Sequence, residues 1–134
     1  MTSRTKAADG PALTLKDAFE VELARREMER RAREEAQRRQ QEQDLAGAVT
    51  LCDALAADEA FLAAHALTVD RRRYTVSLDN AAFRIAAYFD GGTALVTSVD
   101  KRGPPGGAPR KQETVESVED ALRVMAQFLA DETR

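Results

Sequence analysis

From Arg71 to Val99 apolar and polar residues alternate, and the alternation has a period of two. Tyr74, Val76 and Leu78 are separated by Thr75, Ser77 and Asp79. Phe83, Ile85, Ala87 and Phe89 repeat the pattern. Ala94, Val96 and Ser98 interleave with Leu95, Thr97 and Val99. Period two is the mark of a strand with one buried face. Two turn signals divide the stretch: Asp79-Asn80, which tolerates left-handed geometry, and Asp90-Gly91-Gly92, which suits a primed hairpin turn. The pattern predicts a three-stranded antiparallel meander over 71–79, 82–90 and 93–100. Two-residue loops at Asn80-Ala81 and Asp90-Gly91 set Leu78 opposite Phe83, Val76 opposite Ile85, Ala87 opposite Ala94 and Ile85 opposite Val96. Sliding a loop by one residue changes these partners and leaves the faces as they are. The apolar face belongs against helices. The other face, with Arg84, Tyr88, Leu95 and Val99, is mixed.

The helical signals flank this centre. From Leu15 to Gln43 there is no Gly or Pro, and eight basic and eight acidic residues recur. Glu22–Arg26, Glu27–Arg31, Glu29–Arg33, Glu34–Arg38 and Glu35–Arg39 have helical ion-pair spacing, each worth about 0.2–0.5 kcal/mol. Thr14 with Asp17 resembles an N-terminal capping pattern. This gives a charged helical arm over 13–43, about 43 Å long at 1.5 Å per residue. Its apolar stripe (Leu15, Phe19, Leu23, flanked by Val21 and Met28) ends at Met28, too short for a sustained coiled coil. Asp44 opens a second helical region over 44–66, with Leu45, Val49, Cys52, Leu55 and Ala56 on one face and Asp58 capping a last turn that carries Phe61 and Leu62. A flexible Gly/Pro loop follows the strands over 101–112. Ser117 and Asp120 then cap a final helix over 115–132, whose Val118, Ala121, Leu122, Met125, Phe128 and Leu129 recur at three and four. The predicted fold class is α+β: a three-stranded meander packed on one face by helices over 44–134, the long charged helix before it, and a disordered segment over 1–12.

Composition narrows the chemistry. The chain has 134 residues and a formal net charge of −3, a mild balance that does not mark it as a nucleic-acid binder. One cysteine gives no disulfide framework. No secretory pattern follows Met1 and no run approaches the roughly 20 apolar residues of a membrane span, so the expected location is cytoplasmic, with no membrane partner. Cys52 and His65 are 13 residues apart in predicted helix, about 20 Å, too far for a thiolate–imidazole pair. Zinc-ligand spacing is absent. Residues 103–111 miss the phosphate-loop pattern at Ala108. No cofactor or metal is expected.

What remains is surface. The expected function is a non-catalytic protein-interaction or adaptor module, self-associating, that binds a protein partner or a second copy through Phe19, Leu23 and Met28 on the arm and through Arg84, Tyr88, Leu95 and Val99 on the mixed sheet face. The open sheet edges suit pairing between chains. The alternative is a nucleic-acid or ribosome-associated protein that holds phosphates with Arg71, Arg72, Arg73 and Arg84 together with Lys101, Arg102, Arg110 and Lys111. A small nuclease working with Arg and Tyr would need Arg73, Arg84 and Tyr88 in one deep pocket.

Overall fold

The computed structural model describes residues 13–103 and 108–133. The segment 1–12, expected to be disordered, and residues 104–107 of the expected flexible loop lie outside the described residues. The chain divides into two compact units, one ending at Arg38 and the other beginning at Arg39.

Helix α1 is continuous from Leu15 to Ala56. Its start follows the capping pattern: the Thr14 hydroxyl accepts the Asp17 N–H at 3.1 Å. The second helix expected to begin at Asp44 is not separate: α1 runs through Asp44 without a break. No residue before Gly47 breaks the helix, and Gly47 itself has a packing reason. A Cβ there would lie 3.0 Å from two carbons of the Phe89 ring, so the missing side chain lets helix and strand approach. The expected inner face of this region is also corrected. The buried positions are Asp44, Ala48, Leu51 and Leu55, spaced four, three and four apart, while Leu45 is turned outward. Asp58 stands before the six-residue helix α2 (Glu59–Ala64), but its side chain makes no capping bond.

The sheet has five antiparallel strands in the order β1-β2-β3-β4-β5, not three. They are β1 (Thr68–Arg72), β2 (Thr75–Asp79), β3 (Phe83–Asp90), β4 (Thr93–Asp100) and β5 (Lys111–Val115). The predicted strand 71–79 straddles a hairpin turn. Arg73 takes φ 55° there, a left-handed conformation that costs a non-glycine residue roughly 1–2 kcal/mol. β5 takes over the end of the predicted loop and the start of the predicted last helix. Helix α3 therefore begins at Val118 and runs to Thr133. Its cap is as expected, with the Ser117 hydroxyl accepting the Asp120 N–H at 3.0 Å.

The faces follow the parity of the sequence. Phe83, Ile85, Ala87 and Phe89 are buried, as are Ala94, Val96 and Ser98. The partners differ from the expected ones. Leu78 pairs with Ile85 and Val76 with Ala87, a register two residues further along β3, with four residues between the last pair, Asp79 and Arg84. Asn80 shapes the β2–β3 connection, its Oδ1 accepting the N–H groups of Ala82 at 2.8 Å and Phe83 at 3.0 Å. Ala87 pairs with Val96 and Phe89 with Ala94, because Gly91-Gly92 forms the β3–β4 turn. Both glycines have positive φ, 62° and 87°, as a type I′ turn requires. Val124, Met125, Phe128 and Leu129 of α3 join Leu51, Leu55 and the inner sheet face in one core. Burying each of these larger side chains contributes roughly 1.5–3 kcal/mol. Leu122, expected in this stripe, is 38% exposed.

Candidate functional site

The arm carries the largest apolar exposure. Phe19, Leu23 and Met28 are 60%, 55% and 71% exposed. Phe19 and Leu23, four residues apart, share one side of the helix, while Met28, nine residues after Phe19, projects from the other. Large apolar side chains left in water are the kind of surface that a partner covers. The surrounding charges hold the helix without one. Glu22 binds Arg26 at 2.8 Å and also Arg25. Glu27 binds Arg31 at 3.0 Å and also Arg30. Two of the expected pairs re-sort: Glu29 joins Arg25 and Glu34 joins Arg30, both at 2.6 Å. Hydrogen bonds from Arg25 and then Arg26 lower the Glu22 carboxyl from its usual value to about 2. Arg30 and then Arg31 lower Glu27 in the same way. The arm is thus preorganised as helix, and binding through it need not supply the entropy of folding.

The outer sheet face is built of three cross-strand rows. Arg72, Thr75, Tyr88, Leu95 and Thr114 form one; Asp70, Ser77, Ala86, Thr97 and Gln112 the next; Thr68, Asp79, Arg84 and Val99 the third. Arg84, Tyr88, Leu95 and Val99 therefore share a face, as expected. Tyr88 and Arg84 are exposed, and Leu95 and Val99 are half-buried. A depression of about 330 Å³ on this face is bordered by Asp70, Arg72 and Arg84, without Arg73 or Tyr88.

The basic residues are dispersed into ion pairs. Arg72 meets Asp70 at 3.2 Å, and Arg84 meets Asp79 at 2.9 Å. Lys101 meets Asp79 at 3.2 Å, and Arg102 meets Asp100 at 3.0 Å. Arg110 pairs with Glu132 and Lys111 with Asp131. Arg71 donates to the Arg73 carbonyl at 3.0 Å, and the Arg73 guanidinium lies 5.8 Å from the Tyr74 ring centre. Partial burial pushes the Asp79 carboxyl up, but hydrogen bonds from Arg84 and Lys101 outweigh it and hold the group below its ordinary value. The Arg102 N–H, and then its side chain, lower Asp100.

Two features have no counterpart in the sequence reading. The first is an apolar groove of about 440 Å³ whose walls include Leu55, Phe61, Leu62, Leu122 and Met125. Its polar groups are few, among them Asp58 and His65, and the His65 ring lies 4.5 Å from that of Phe61. The exposed Leu122 borders this groove. The second is Asp44. This buried carboxylate accepts the N–H of Gly91 at 2.9 Å and of Gly92 at 3.0 Å, and Gln40 donates to it at 3.2 Å. Glycine pairs announce turns, but nothing local announces which acid will hold one.

Cys52 is half-buried against the core. Among the described residues, no group of three or more His, Cys, Asp or Glu side chains could hold a metal ion, and no helix is long and apolar enough to cross a membrane. No protein family, no curated protein and no solved structure matches this chain.

Proposed function

We propose that this protein is a non-catalytic, cytoplasmic interaction module that self-associates and takes a protein partner through the front of α1. The observation that carries this reading is the exposure of Phe19, Leu23 and Met28 on a helix already held by its own ion pairs. The partner is read as a protein with an apolar groove, engaged in the helix-in-groove mode by Phe19 and Leu23, four residues apart on one side of the helix. The outer face around Tyr88 and Leu95 offers a second, flatter surface. Its charges are paired within the chain, so contact there costs less desolvation than a set of free charges would.

The nucleic-acid alternative has less support. Arg72, Arg84, Lys101, Arg102, Arg110 and Lys111 each have a carboxylate partner, which a phosphate would have to displace. The test compares the proteins retained by the full chain with those retained by a Phe19→Glu/Leu23→Glu variant, at low and at high salt. Retention lost in the variant and stable to salt supports the reading. Identical retention by both chains, or retention that disappears with salt or nuclease, refutes it.

A further inference from the structure

The sheet ends at β1 on one side and β5 on the other, and each edge leaves outward-pointing backbone N–H and C=O groups for a further strand. Two copies related by an axis perpendicular to the sheet pair antiparallel, and each residue then meets one from its own face. At β1 the match is poorer. Centring the axis on Asp70 or Arg72 sets that residue against its own copy, like charge on like. Centring on Arg71 pairs Asp70 with Arg72 twice but brings the two Arg71 side chains together on the opposite face. Centring on Thr68 or Val69 pairs no opposite charges.

At β5 one register is complementary. Lys111, Glu113 and Val115 lie on the helix-covered face, opposite Ser98, Val96 and Ala94, while Gln112 and Thr114 lie on the other face. Centring on Lys111 or Glu113 again opposes like charges. Centring on Gln112 sets Lys111 of each copy against Glu113 of the other, twice. It also brings the two Gln112 amides together on the outer face, each able to donate to the other. Glu113 is exposed, and a groove of about 610 Å³ runs beside it, bordered by Thr114, Asp120, Arg123 and Gln127. Lys111 would then stand between Asp131 of its own chain and Glu113 of the second copy.

We propose that two copies of this chain join β5 to β5, antiparallel about Gln112, into one sheet continuous through both. The proposal rests on the reading of the protein as a self-associating module and names the surface that does it.

The test is solution mass by light scattering on the full chain, with the expected value twice the 14.7 kDa of one chain. Glu113→Lys converts both attractive pairs to repulsive ones and should weaken the dimer about tenfold or more. Lys111→Glu should do the same, and mixing the two variants should restore a dimer, because each then supplies the other's missing sign. Because Lys111→Glu also loses Asp131, Gln112→Cys gives an independent reading. It should form a disulfide-linked dimer on mild oxidation, whereas Arg72→Cys on β1 should not. A single-chain mass at all concentrations overturns the proposal. So does a dimer indifferent to Glu113→Lys but lost on Leu23→Glu, an outcome that leaves the arm reading standing. Pairing upheld while Phe19→Glu/Leu23→Glu retains every associated protein sinks the arm reading alone.

Discussion

Replacing Asp44 by Ala isolates the contact between α1 and the β3–β4 turn. The substitution removes two charge-assisted bonds, to Gly91 at 2.9 Å and Gly92 at 3.0 Å, together with the Gln40 contact. Hydrogen bonds to a charged group contribute about 1.5–3 kcal/mol each when nothing replaces them. Both glycines are exposed, so water takes over part of the lost bonding. The expected loss is therefore about 2 kcal/mol for the pair, below the sum of two full bonds. Alanine is otherwise a good helix residue, so α1 itself should not suffer. Urea unfolding should be followed by the fluorescence of Tyr74 and Tyr88, since the chain has no Trp. Tyr88 is on β3 and Tyr74 precedes β2, so the signal reports the sheet. The midpoint should fall with an unchanged m-value, and the melting temperature should drop by roughly 6–10 °C. Asp44→Asn, which keeps one acceptor, should lose about half as much. A loss below about 0.5 kcal/mol at constant m would show that the carboxylate does not hold the turn.

Gly47→Ala should destabilise despite a helix-propensity gain of about 1 kcal/mol, because the new methyl meets the Phe89 ring at 3.0 Å; in a Phe89→Leu background the same change should become neutral or favourable, and a double-mutant cycle with no coupling would count against the close approach. Met125→Ala should cost about 2–5 kcal/mol and Leu122→Ala under about 1 kcal/mol in urea unfolding, since Met125 is fully buried and Leu122 is not; equal losses would contradict the assigned faces of α3. Glu22 has a carboxyl pKa lowered to about 2 in the folded arm from its usual 4.5, so its contribution is complete above pH 4.5 and is lost as pH falls through about 2. Arm helicity, read by amide exchange at residues 20–35, should decline over that window and also in high salt; helicity unchanged between pH 5 and pH 2 would show that these pairs do not sustain the helix.

The middle of the sheet was legible in the sequence because alternation survives any error of register. Leu78 and Ile85 face inward whether Leu78 pairs with Phe83 or, as found, with Ile85. The caps at Thr14 and Ser117 were legible because a hydroxyl bonding an N–H three residues on is local chemistry. β1 and β5 were not. An edge strand buries little, so Asp70, Arg71 and Arg72, and Lys111, Gln112 and Glu113, carry no apolar alternation to mark them. The left-handed turn at Arg73 lacks the usual Gly or Asn. Of the candidate surfaces, the exposed arm and the shared face of Arg84, Tyr88, Leu95 and Val99 followed from periodicity. The groove by Phe61 and Leu122 did not, because its walls come from distant segments. Nor did the acceptor for the Gly91 N–H, which lies 47 positions away at Asp44.

Every strand of this sheet pairs only with its neighbours along the chain, and the first three hairpins leave only two to four residues between their last paired positions. Assembly can therefore proceed hairpin by hairpin as the polypeptide leaves the ribosome, with little entropy spent on closing large loops. The slower event is then the seating of the helices over the finished sheet. Core substitutions in α3 should accordingly hasten unfolding more than they retard refolding, while changes in the β2–β3 and β3–β4 turns should act chiefly on the refolding rate.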